Sequence, residues 1–156
     1  MSETVIQVTS LGKRIKGKTI LEDISFEINK GDCVALIGPN GAGKTVLMSC
    51  ILGDKKPSSG QVLIDGKAGK AKNKIAVLLQ ENTIPNSLKV EELIAFFQSI
   101  SDNPLTNQEV QDLLQFKEDQ YQQFADKLSG GQRRLLAFVL CLIDKPKILF
   151  LDEPTA

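Results

Sequence analysis

The segment Gly38-Pro39-Asn40-Gly41-Ala42-Gly43-Lys44-Thr45 restricts the fold most, because it lies between an unbroken apolar run, residues 33–37, and a short helical stretch ending near Gly53. An apolar run of strand length that feeds a glycine loop and then a helix predicts a strand covered on both faces, as in a parallel sheet. Glycines let the backbone wrap closely around an anion, so that the N–H groups of the loop and of the helix N-terminus face the negative charge. The pattern Gly-x-x-x-x-Gly-Lys-Thr in this context is that of a phosphate loop. Lys44 would neutralise β and γ phosphates, and Thr45 would offer its hydroxyl to Mg²⁺.

Two further segments carry chemistry. Ile148-Leu149-Phe150-Leu151-Asp152-Glu153 reads as a buried strand ending in two acids. With a phosphate loop upstream, Asp152 would hold Mg²⁺ through water and Glu153 would polarise the attacking water as general base. In Leu128-Ser129-Gly130-Gly131-Gln132, Ser129 is a good N-cap and the glycines expose N–H groups at a helix start, a second anion site in the same chain. One nucleotide needs one phosphate loop, so the second site points to the nucleotide of another subunit.

Around these segments the first half reads as β-rich. Residues 5–11 form one predicted strand, and Ile24, Phe26 and Ile28 alternate with polar residues as a half-buried strand does. A turn follows at 29–32, and strands are expected at 61–64 and 75–79. After Gln80 the period becomes helical, with Val90, Leu93, Ile94 and Phe97 on one face. Thr106 and Glu109 form a capping-box pair before a helix whose apolar side carries Val110, Leu113 and Leu114. A third helix carries Leu135, Leu136, Val139, Leu140 and Ile143 and precedes the strand 148–151. The lysine-rich stretch 67–74 reads as a solvated loop.

Composition excludes more than it selects. Lys plus Arg and Asp plus Glu both number 19, so net charge makes no case for nucleic acid, and none is expected as a partner. Cys33, Cys50 and Cys141 have apolar neighbours, no CxxC spacing and no histidine to complete a zinc site, and read as buried thiols. Residues 1–10 do not have the form of a signal peptide. The longest apolar run, 135–143, is too short for a bilayer, so any membrane must be spanned by another chain.

Leu-Ser-Gly-Gly-Gln at 128–132, followed by Arg133-Arg134, resembles the signature motif of ABC ATPases, and the order of motifs and the closing Glu153-Pro154-Thr155-Ala156 are similar to that family's. The resemblance implies an α/β fold: a P-loop NTPase (RecA-like) core with an antiparallel β subdomain and an inserted α-helical subdomain, incomplete at the C-terminus. Residues 1–80 and 144–156 would form the core plus β subdomain, and about 81–143 the helical subdomain. ATP and Mg²⁺ would be the ligands. Residues Gly38, Pro39, Asn40, Gly41, Ala42, Gly43, Lys44, Thr45 and Val46 would hold the nucleotide. Ser129, Gly130, Gly131 and Gln132 would reach the γ-phosphate bound by a second cassette. Gln80 matches the Q-loop glutamine, which touches Mg²⁺ and the water and senses the permease.

The same resemblance implies a motor subunit at the cytoplasmic face of the cell membrane, partnered by a transmembrane permease and a second ATPase subunit, identical or not. Residues 78–97 and 130–137 look most like drug and antibiotic exporters. Two departures concern the nucleotide: Ile15 stands where an adenine-stacking aromatic is usual, and Val46 where a second hydroxyl commonly touches the α-phosphate, a bond worth about 1 kcal/mol net. The family's D-loop, a further core strand and a switch histidine would follow Ala156, so the chain reads as a fragment. The competing readings are a nucleotide-binding interaction module without turnover, and a soluble relative acting on ribosomes or DNA.

Overall fold

The computed structural model describes residues 3–68, 75–79 and 84–152. The chain divides into two compact units, Met1–Lys72 and Asn73–Ala156.

The first unit is built on β1 (Thr4–Ile15) and β2 (Lys18–Asn29), joined by Lys16 and Gly17 with φ of 49° and 78°. Two successive positive-φ residues give the tight turn whose twist suits a hairpin. Beyond the hairpin come α1 (Lys44–Ile51), β3 (Ser59–Ile64) and β4 (Lys67–Ala68), and the strands form one antiparallel sheet in the order β2-β1-β3-β4. Val8 lies opposite Phe26 on one side and Val62 on the other, and Ile6 opposite Ile28 and Ile64. This register places Ile6, Val8, Leu11 and Ile64 in the core, while α1 buries Leu47, Met48, Cys50 and Ile51.

The sheet is not regular. Its β1–β2 register shifts between Val8 and Leu11, where Ser10 has φ 45°, and again beside Asp23, with φ 48°. At the first irregularity Gly60 meets β1 so closely that a Cβ would lie 2.2 Å from the Ser10 oxygen and 2.3 Å from that of Thr9. Only glycine fits there, because Gly60 also has φ 71°.

The apolar run 33–37 departs from its expected form. Among the described residues it enters no ladder, and Val34 and Ile37 are 53% and 93% exposed. An apolar pattern supplies the faces of a strand, but the hydrogen bonds that define one must come from a neighbouring strand. For the same reason Cys33 is exposed, which corrects its reading as a buried thiol; Cys50 is buried and Cys141 half-buried. Burial pushes both of those thiols above the usual range.

The second unit contains β5 (Ile75–Leu78), α2 (Val90–Ser99), α3 (Asn107–Leu114), α4 (Glu118–Tyr121), a 3-10 turn at Ala125–Lys127, α5 (Gly130–Leu142) and β6 (Ile148–Leu151). Strands β5 and β6 pair in parallel, with Ile75 beside Ile148 and Leu78 beside Leu151. Strand β5 also packs against α5. Leu93, Val110, Leu136, Val139 and Ile143 are the fully buried centre, each such side chain contributing roughly 1.5–3 kcal/mol. Leu113, expected on the apolar side of α3, is 43% exposed.

Helix entry follows the sequence closely. The Glu109 N–H donates to Thr106 Oγ1 at 3.2 Å, and the Thr106 N–H donates to Glu109 Oε2 at 2.7 Å. This is the capping box expected for α3. Of the lysine-rich stretch, Lys67 and Ala68 form β4, and 69–74 lie outside the described residues.

Candidate functional site

In the first unit the loop ahead of α1 is shaped by two glycines that no other residue replaces cheaply. Gly41 and Gly43 have φ of 83° and 91°. At Gly43 a Cβ would also stand 2.9 Å from Leu21 Cδ2 and 3.2 Å from Ile20 Cγ2. The Ala42 N–H donates to the Pro39 carbonyl at 3.1 Å, closing a turn, and the first helical bond is Leu47 N–H to Gly43 O at 2.8 Å. The N–H groups of Lys44, Thr45 and Val46 therefore precede any intrahelical acceptor. No side chain caps them, and no acid stands in the first turn. Most helices satisfy this end with Ser, Thr, Asp or Asn. Here the positive end of the helix dipole is left facing outward.

Lys44 lies over this opening. Its ammonium donates to the carbonyls of Gly38 at 2.5 Å and Pro39 at 3.1 Å, using two of its three protons. Residues 38–42 and Thr45 are exposed. The loop thus gathers a cation, uncapped N–H groups and an exposed hydroxyl at one helix start, and its chemistry suits a phosphate with its divalent cation.

In the second unit Ser129 is the N-cap of α5, as expected. The Gln132 N–H donates to Ser129 Oγ at 3.2 Å and the Ser129 N–H to Gln132 Oε1 at 3.0 Å. The cap takes up one acceptor position on Ser129 Oγ and one on Gln132 Oε1, and this end still offers several donors: the Ser129 hydroxyl, the Gly130 and Gly131 N–H groups and the Gln132 NH₂. A Cβ at either glycine would meet nothing within 4 Å, and neither has a positive φ. Neither packing nor strain inside the unit therefore demands glycine, which disfavours a helix by up to about 1 kcal/mol relative to alanine.

Asp152 follows β6 and continues its ladder, donating its N–H to the Leu78 carbonyl at 2.9 Å. This fixes the backbone from which its half-buried carboxylate projects. Gln80 and Glu153 lie outside the described residues. Sequence reading missed Arg133, whose guanidinium donates to the Ile84 carbonyl at 2.9 Å and to Asn86 Oδ1 at 2.5 Å. These bonds tie the start of α5 to residues 84–86. An arginine after a glycine pair gives no local signal of partners nearly fifty positions earlier.

A family model described as ABC transporter matches residues 21–156. The chain belongs to the ABC transporter family. This ABC chain is 35% identical to the spermidine/putrescine import ATP-binding protein of Protochlamydia amoebophila, over 94% of its own length and 41% of the relative's. It is 35% identical to the methionine import ATP-binding protein of Legionella pneumophila, over 97% and 48%. With the phosphonates import ATP-binding protein of Wolinella succinogenes the identity is 34%, over 97% and 63%. The ABC chain spans about half the length of the curated relatives it matches.

Among solved structures, an ATP-binding cassette of an ABC transporter in an ADP conformation superposes with a TM-score of 0.81 at 24% identity, over 98% of this chain and 70% of that one. An ATP-binding subunit of an ABC transporter gives 0.79 at 24%, over 97% and 67%. The fold is therefore the expected α/β architecture of ABC ATPase P-loop domains. The three sequence relatives are named for import, so the exporter likeness drawn from residues 78–97 and 130–137 finds no support among them. Among the described residues no helix is long and apolar enough to cross a membrane.

Proposed function

We propose that this chain binds Mg²⁺-ATP at residues 38–46 and, paired with a second cassette, hydrolyses it to power the movement of a substrate across a membrane as the motor subunit of an ABC transporter. The observation that carries the reading is the uncapped start of α1, closed over by Lys44 alone. A helix end of this kind stabilises an anion without an opposing carboxylate to displace.

The steps follow from the donors. On binding, the Lys44 ammonium exchanges its Gly38 and Pro39 carbonyls for β- and γ-phosphate oxygens, and the N–H groups of residues 41–46 close around the rest. Val46 contributes its N–H without a hydroxyl. The hydroxyl of Thr45 and the carboxylate of Asp152 are each hard oxygen donors of the kind Mg²⁺ takes, and their shared role toward one ion rests on the sequence resemblance alone. Bound there, the ion would neutralise charge that develops on the phosphates.

Ser129, Gly130, Gly131 and Gln132 present several donors, and in this reading they complete the γ-phosphate shell of the nucleotide held by a second cassette. Glu153 takes the proton of the attacking water, and Gln80 positions that water and reports to the permease; both roles rest on sequence. A peripheral place on the cytoplasmic face of the membrane, beside a permease that spans it, goes with this role. Export is not carried forward, since the relatives' names favour import and direction belongs chiefly to the permease.

Glu153→Gln in the full-length protein tests the reading. It removes the base while leaving the anion sites, so ATP should convert monomer to a dimer that persists, seen by light scattering. A particle that stays monomeric at saturating ATP would overturn the two-cassette arrangement.

A further inference from the structure

Asn40 is the one asparagine in the chain that is followed by glycine, and it stands in the middle of the phosphate loop. Both Asn40 and Gly41 are exposed. The turn around them is closed by the Ala42 N–H on the Pro39 carbonyl at 3.1 Å, which leaves the Gly41 N–H out of that bond. Among the described residues neither this N–H nor the Asn40 carboxamide has a hydrogen-bond partner. Gly41 has φ 83°, and nothing lies within 4 Å of where a Cβ would stand. A bond from the Gly41 nitrogen to Asn40 Cγ would close a succinimide ring, and no side chain on residue 41 obstructs it.

The other described asparagines are held or blocked. Asn29 Oδ1 accepts from Thr4 Oγ1 at 3.1 Å within the β1–β2 ladder, Asn86 Oδ1 accepts from Arg133, and Asn107 Oδ1 accepts from Gln98 Nε2 at 3.0 Å at the start of α3. Asn103 precedes Pro104, whose nitrogen has no hydrogen to lose.

We infer that Asn40 is a site of spontaneous deamidation and that the change closes this loop to nucleotide. Hydroxide takes the Gly41 amide proton and the nitrogen attacks Asn40 Cγ. As that N–C bond forms, the Cγ–Nδ2 bond breaks and ammonia leaves with a proton from water. Water then opens the ring. Attack at Cγ restores the peptide with an aspartate at position 40, and attack at the main-chain carbonyl carbon gives isoaspartate, with the chain routed through the side chain.

Either product puts a carboxylate into residues 38–46, which otherwise carry none, next to the Pro39 carbonyl that holds the Lys44 ammonium. A fixed negative charge there repels a phosphate and competes with it for Lys44. Isoaspartate also adds a main-chain carbon beside Gly41, whose left-handed backbone shapes the turn. Bound nucleotide opposes the reaction, because the Gly41 N–H then donates to a phosphate oxygen and its nitrogen is held away from Cγ. The modification thus retires chains that stand empty and spares those in use. For its consequence, though not for its chemistry, the inference rests on the reading of 38–46 as a nucleotide site.

The test incubates the full-length protein at mildly acidic and mildly alkaline pH, alone or with Mg²⁺ and a non-hydrolysable ATP analogue. Peptide mapping by mass spectrometry follows each asparagine, and each sample, freed of nucleotide, is titrated with a fluorescent ATP analogue. The Asn40 peptide should convert before those of Asn29, Asn86 and Asn107, and faster in alkali, since the attacking nitrogen must lose its proton. With about nine sites in ten occupied, conversion should be roughly tenfold slower. Binding capacity should fall in step with intact Asn40. Asn40→Asp should bind roughly tenfold or more weakly than wild type. Asn40→Gln, whatever its starting affinity, should hold it through the incubation, because its longer side chain closes a ring far less readily. Survival of Asn40 while another described asparagine converts would overturn the inference. If Lys44→Ala binds the analogue as tightly as wild type, the phosphate-loop reading itself fails; if Lys44→Ala loses binding and fully converted protein keeps it, the inference alone is wrong.

Discussion

Ser129 and Gln132 cap one another across the first turn of α5, each backbone N–H donating to the other's side-chain oxygen, at 3.0 Å and 3.2 Å. Ser129→Ala should cost about 1 kcal/mol, read as a lower urea midpoint at unchanged slope. Under the proposed function it should also lower turnover more than nucleotide affinity, because the phosphate loop is untouched. Ser129→Thr retains both cap and hydroxyl and should recover the stability.

Gly130→Ala should move stability and activity in opposite directions. A methyl there meets nothing within 4 Å, so helix propensity predicts a gain of up to about 1 kcal/mol. Under the proposed function the same methyl would obstruct the approach of a second cassette's nucleotide, so hydrolysis in the full-length protein should fall at least tenfold. Unchanged hydrolysis would mean that the glycine pair has no external partner.

Gly60→Ala is the structural counterpart, since there the obstacle is internal. A Cβ at 2.2 Å from the Ser10 carbonyl oxygen forces the β1–β3 pairing apart, and the left-handed backbone adds roughly 1–3 kcal/mol of strain. Urea unfolding should show a loss of at least that size, with α-helical circular dichroism little changed at low denaturant.

Glu109 gives the fold an acid-sensitive point. The Thr106 N–H, then the Thr106 hydroxyl, and to a lesser degree nearby Lys145 hold its carboxyl below the usual range. A lowered carboxyl pKa contributes stability that is present above the unfolded-state value and lost as pH falls through the folded one. The α3 cap should therefore be intact at neutral pH and weaken only in acid. Between about pH 5 and 3, wild type should lose more of its urea midpoint than Glu109→Gln, which keeps the acceptor without the charge.

Exposed Val34, Leu36 and Ile37 form an apolar strip that pairs with no strand among the described residues. Such edges recruit other chains, so the 156-residue chain should associate as its concentration rises, and Ile37→Lys should suppress this in light scattering.

Much of this was legible locally. The Thr106–Glu109 and Ser129–Gln132 boxes, the end of α1 before Gly53 and the uncapped glycine loop each depend on residues a few positions apart, and such chemistry is written in the sequence. What failed or was missed depends on distant partners. Residues 33–37 have the composition of a buried strand, yet no pattern within them says what will pair with them. The bulge at Ser10 is dictated by Gly60, fifty positions later, and Arg133 by Ile84 and Asn86.

The central claim is that the open start of α1 holds a nucleotide's phosphates under Lys44. Titration of a fluorescent ATP analogue with Mg²⁺ into wild type and Lys44→Ala measures it most directly. Hydrogen bonds to charged groups contribute about 1.5–3 kcal/mol, so Lys44→Ala should bind roughly 10- to 100-fold more weakly with its circular dichroism unchanged. Equal affinity for the two proteins would contradict the assignment.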